Sequence, residues 1–123
     1  IRYIIRILAL QYRIYFCMKN LISIMYHDVR PWDANYFPKR YEQKPFITIN
    51  QFKKHINYLQ DNFDIIHPNQ IKSFNENSYN KSPLLITFDD GLKDHIKEVF
   101  PLLKSKGIPA IFFIPAEAVE QRV

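Results

Sequence analysis

The sequence predicts the N-terminal part of a parallel α/β fold, a sheet or a barrel. Three observations carry that expectation. Apolar runs such as Leu84–Phe88 and Pro109–Pro115 are continuous rather than alternating, as in strands covered on both faces. Segments of helical period lie between them. The order is strand, helix, strand, strand, helix, strand, which favours parallel pairing with helical crossovers.

The elements follow in order after Met18. Leu21–Tyr26 reads as a short buried strand ending near His27. Arg30–Phe46 is polar and aromatic and is broken by Pro31, Pro38 and Pro45, so it reads as a loop. Thr48-Ile49-Asn50-Gln51 offers a capping box, and Phe52, Ile56 and Leu59 follow at helical spacing, which predicts a helix over Ile49–Asp61. Asp64–Ile66 is a brief strand stopped by His67-Pro68, and residues 72–82 are an exposed loop. After the strand Leu84–Phe88 a helix runs from about Lys93 to Lys106, with Pro101 as a kink or restart and Gly107 as its C-terminal cap. Pro109–Pro115 closes the series as another buried strand.

The 123 residues suffice for one modest domain, and a composition 47% hydrophobic and 15% aromatic can build a core. A complete (β/α) barrel takes roughly 200 residues or more, so the chain is expected to be the N-terminal part of a larger catalytic domain. The net charge is +5, of which residues 1–17 contribute +3 through Arg2, Arg6 and Arg13. With so much of the charge in one segment, and no basic stripe interleaved with aromatics, no nucleic-acid partner is expected. Cys17 is the lone cysteine, which excludes an intrachain disulfide and a Cys-based zinc site. Residues 1–17 have two readings. They are an extension ahead of a natural start at Met18, which the sequence favours, or a basic interfacial helix touching a membrane. Their longest uncharged stretch, Ile7–Tyr12, is far short of the ~20 apolar residues of a spanning helix, and no export signal is evident.

The chemistry concentrates in Leu84-Leu85-Ile86-Thr87-Phe88-Asp89-Asp90-Gly91. An apolar strand climbs to two adjacent carboxylates and ends at one of only two glycines in the chain. Adjacent carboxylates repel, and one pKa rises unless a cation lies between them. A divalent metal resolves the repulsion: one carboxylate ligates it and the other is free to take a proton from water. The bland alternative is a polar strand end at a helix N-terminus.

Thr87-Phe88-Asp89-Asp90-Gly91, Phe100-Pro101-Leu102-Leu103-Lys104 and Gly107-Ile108-Pro109-Ala110-Ile111-Phe112-Phe113-Ile114 together resemble the polysaccharide deacetylase family (NodB homology, carbohydrate esterase family 4). Met25-Tyr26-His27 and Phe46–Leu59 resemble the opening region of many members, so the likeness runs from Met18 to about Ala116. The resemblance implies a distorted (β/α) barrel that removes N-acetyl groups from the amino sugars of a glycan with Zn²⁺ or a similar divalent ion. It implies Asp89 as the general base and Asp90 as a metal ligand. The family completes its metal site with two histidines that have three residues between them, in a motif farther along the chain. His27, His55, His67 and His95 include no such pair, so the site in this chain is expected to be incomplete and the chain alone inactive.

His27, at the end of the first strand, reads equally as a substrate or supporting contact and as a structural histidine. Trp32 and Tyr36 could stack on a sugar ring or plug the loop. His95, five residues after Asp90 on a helix, could approach the site but reads better as part of a solvated helix face, and His55 and His67 read as structural or surface residues. Two other functions stay open: a non-catalytic carbohydrate-binding relic of the same fold, and a Mg²⁺-dependent phosphohydrolase, disfavoured because the chain has no phosphate-cradling glycine loop.

Overall fold

The structure, a computed structural model, describes residues 20–31, 46–75 and 78–116. Residues 1–17, Trp32 and Tyr36 lie outside the described residues, and the expectations made for them lie there too.

The sheet is built around one strand. β5 (Pro83–Phe88) is buried at every position. It pairs in parallel with β1 (Ile22–Tyr26) along one edge, in the register Ile22↔Leu84 to Tyr26↔Phe88. Its other edge takes β4 (Asp64–Ile65) at Pro83 and Leu84, and β6 (Ile111–Phe112) at Thr87 and Phe88. A separate parallel ladder joins β2 (Asp28–Arg30) to β3 (Phe46–Thr48). The described residues are therefore mixed α/β with parallel strands, arranged as an open sheet.

The capping box expected from Thr48 and Gln51 starts helix α1 (Ile49–Asn62). Gln51 N–H donates to Thr48 Oγ1 at 3.2 Å, and Thr48 N–H donates to Gln51 Oε1 at 2.9 Å. Phe52, Ile56 and Leu59 line its buried face and meet Leu84, Ile86 and Phe88 of β5 in the core. Each such side chain contributes roughly 1.5–3 kcal/mol when taken out of water. The far end of α1 is held by Lys81, whose Nζ donates to the carbonyls of Asp61 at 2.6 Å and Gln60 at 3.4 Å. A cation there suits the negative end of the helix dipole.

The second crossover departs from a plain α-helix. His95–Val99 is π-helical, and α2 (Phe100–Ser105) follows it. The Phe100 amide donates back to the His95 carbonyl, a five-residue span. Pro101, which has no N–H to give, falls at the start of α2, where none is needed. Gly107 ends the helix at φ 65°, as a C-terminal cap requires.

Four expectations need correction. β1 is half-buried rather than buried, with Ser23 and Met25 on an open face. The segment read as one loop from Arg30 to Phe46 begins and ends in the β2–β3 ladder, anchored by the buried Arg30. Arg30 donates through Nε to Asp28 Oδ2 at 2.7 Å and stacks over the Phe46 ring at 4.7 Å. The last strand is only Ile111–Phe112, because Pro109 and Pro115 flank it and cannot donate to a ladder. His95 is buried, not solvated.

Candidate active site

The site forms where β1 and β5 end together. Tyr26 faces Phe88 in the ladder, and the Asp89 amide extends that ladder by donating to the Tyr26 carbonyl at 3.0 Å. On the other edge, Phe113 N–H donates to the Phe88 carbonyl at 2.8 Å. The backbone beneath the carboxylates is thus tied from both sides. Strand alternation places Asp89 on the face of Leu85 and Thr87, opposite the core face of Phe88.

The chain then turns through two left-handed residues, Asp90 at φ 72° and Gly91 at φ 58°. Glycine takes this conformation freely, whereas aspartate takes it at a cost. A side chain at Gly91 would also crowd Ile114. A Cβ there would lie 3.1 Å from Ile114 Cγ2 and 3.2 Å from Cγ1. The turn brings the Asp90 carboxylate to His27, the first residue after β1. His27 Nδ1–H donates to Asp90 Oδ2 at 3.2 Å, with both side chains about half exposed.

A row of aromatic rings supports this edge. Tyr26, Phe88 and Phe112 stack across three strands, with ring centroids 5.4 and 4.8 Å apart. Phe52 packs edge-on against both Tyr26 and Phe88. Burial pushes the Tyr26 hydroxyl up to about 12. Beside the row, burial and the nearby Asp28 charge raise the Asp94 carboxyl, against the pull of Lys97 and Arg30.

Of the residues singled out in the sequence, Asp89, Asp90 and His27 converge at one strand end, while Trp32 lies outside the described residues. His67 caps a short 3-10 turn, accepting from Asn69 N–H at 3.2 Å, and His55 lies exposed on α1. His95 is the residue that sequence reasoning misplaced. Its spacing from Asp90 was visible, but its burial follows from the π-helical turn, which no local pattern announces.

A catalytic zinc site takes three protein ligands. Among the described residues, no group of three His, Cys, Asp or Glu side chains could hold an ion. The described residues therefore do not by themselves complete a catalytic zinc site. Among the described residues, too, no helix is long and apolar enough to cross a membrane.

Residues 76–122 match the polysaccharide deacetylase family model. YxkH of Bacillus subtilis strain 168, named for the same family, is 25% identical over 103 residues, covering 81% of this chain and 33% of its own length. The solved structure of IcaB from Ammonifex degensii is similar with a TM-score of 0.59 and 27% identity, covering 76% of this chain and 37% of that one. A de-N-acetylase of Aggregatibacter actinomycetemcomitans (TM-score 0.55, 24% identity, 75% of this chain and 36% of that one) shares the fold. So does the Streptococcus pyogenes deacetylase PplD, solved with acetate (TM-score 0.59, 19% identity, 75% and 41%). The chain spans about a third of the length of its curated relative. The matched segment, which contains Asp89 and Asp90, is similar to the polysaccharide deacetylase family.

Proposed function

We propose that this chain contributes the catalytic strand end of a hydrolase that removes N-acetyl groups from the amino sugars of a polysaccharide. The observation that carries the reading is the contact of His27 with Asp90, next in sequence to Asp89, where two parallel strands end. Barrel enzymes keep their chemistry at this end of the strands, and the open sheet here is read as part of such a barrel.

Asp89 acts as the general base that takes a proton from the attacking water. Asp90 would hold a divalent cation, Zn²⁺ or similar, which would supply Lewis-acid polarisation of the amide carbonyl and of water. The His27 Nδ1–H fixes the Asp90 carboxylate through Oδ2, as groups that orient a ligand do. The bond itself, between two half-exposed groups, adds little stability, so its value lies in orientation.

Acetate release from N-acetylglucosamine oligomers tests the reading, using the protein at its full encoded length with and without chelator. Release that chelator abolishes and added zinc restores is the expected result. No release under any divalent metal overturns it, and oligomer binding without release would favour the binding-only alternative.

A further inference from the structure

The most deeply buried polar side chain near the carboxylates has so far been given no role. His95 is 2% exposed. Its ring packs edge-on against Phe88 at 5.2 Å and lies 5.9 Å from Phe112, so the aromatic row fixes its plane. Its Nε2 sits 2.5 Å from the His27 carbonyl oxygen. A carbonyl only accepts, so Nε2 carries the proton. Its Nδ1 is buried without a hydrogen-bond partner among the described residues.

Burying an imidazole with one nitrogen unsatisfied carries a desolvation penalty, and an apolar residue of similar volume would fill the space without that cost. What the histidine adds over such a residue is a single directed bond, and that bond goes to the backbone of residue 27. The His27 ring in turn reaches Asp90. His95 also opens the π-helical turn His95–Val99, a backbone irregularity frequent at functional sites.

We propose that His95 is a positioning residue for the carboxylate site: its Nε2–H bond to the His27 carbonyl fixes the end of β1 and thereby sets the His27 ring against Asp90. The inference rests on the reading of Asp90 and His27 as parts of a deacetylase centre. It assigns His95 no contact with substrate or metal.

Two readouts test it in the full-length protein. Nitrogen-15 NMR of the imidazoles reads the wild-type tautomer of His95, expected with Nε2 protonated and Nδ1 bare. The variants His95→Leu, which keeps bulk and loses the donor, and His95→Gln, whose amide can take the place of Nε2–H, are then compared. The leucine variant is expected to shift the His27 ring resonances and to lower kcat about tenfold with KM nearly unchanged, the low end for residues that orient a site from behind. The glutamine variant is expected to restore both. An Nδ1-protonated His95 in the wild type, or unmoved His27 resonances in the leucine variant, overturns the proposal. Should the leucine variant fail to fold, the wild-type tautomer and the glutamine variant still decide, because a folded glutamine variant with displaced His27 resonances also overturns it. The NMR readouts do not depend on turnover, so an inactive wild type would count against the deacetylase reading alone.

Discussion

On the proposed reading, Asp90 trades backbone stability for chemistry. It is the one non-glycine residue with positive φ among those described, at 72°, and it directly precedes a glycine that adopts the same region. The left-handed conformation costs an L-residue about 1–2 kcal/mol, and strain of this kind persists at sites where the side chain is needed. Asp90→Gly removes that strain and adds back about 0.5–1 kcal/mol of unfolded-chain entropy. The variant is therefore expected to be more stable by about 0.5–1 kcal/mol in urea titration, while losing deacetylation. A less stable variant would show that Asp90 is not strained where it stands. The sequence makes part of this visible. Asp-Asp-Gly after an apolar strand marks a turn with paired acids. It does not tell which acid takes the strained backbone, because that depends on how β1 and β6 hold Phe88 and Asp89 from either side.

At the scale of elements, local signals were legible where the determinants lie close in sequence. Thr48 and Gln51, three residues apart, announce α1, and its observed span of Ile49–Asn62 agrees to within a residue. Gly107 announces the end of α2. Thr48→Ala is expected to cost about 1 kcal/mol in thermal or urea unfolding, since it removes the Oγ1 acceptor of the box. A neutral result would mean that Gln51 alone carries the cap. Signals failed where the partner is distant. Asp28–Arg30 and Phe46–Thr48 have no strand pattern of their own, yet they pair across a long connection. Lys81 caps α1 from twenty residues away. β1 was read as buried from its apolar letters, but burial on its Ser23 and Met25 face depends on what lies over that face.

At the scale of the molecule, the strands carry the site on a stiff aromatic platform. Tyr26, Phe88 and Phe112 stack across β1, β5 and β6, and Phe52 locks them to α1. The platform has a pH signature. The Tyr26 hydroxyl is pushed up to about 12 by burial, from 10.0 in the unfolded chain. Between those values the folded state keeps a proton that the unfolded state has lost. The stabilisation is complete below pH 10 and disappears as pH rises through about 12. Wild type is expected to lose about 1–2 kcal/mol over that window relative to Tyr26→Phe. Parallel alkaline curves for the two proteins would contradict it. The parallel α/β class was legible because apolar runs alternate with helical periods. The open sheet of the described residues, with β4 and β6 sharing one edge of β5, was not, because edge sharing follows from three-dimensional register rather than local pattern.

The account stands on Asp89 as the base of an amide hydrolysis at the end of β5. The direct measurement is acetate release from N-acetylglucosamine oligomers by full-length Asp89→Asn beside wild type. The substitution keeps shape and removes only the proton acceptor. The predicted outcome is a fall in kcat of about 10²–10⁴-fold, with oligomer affinity and fold retained. Undiminished release by the asparagine variant would contradict the account.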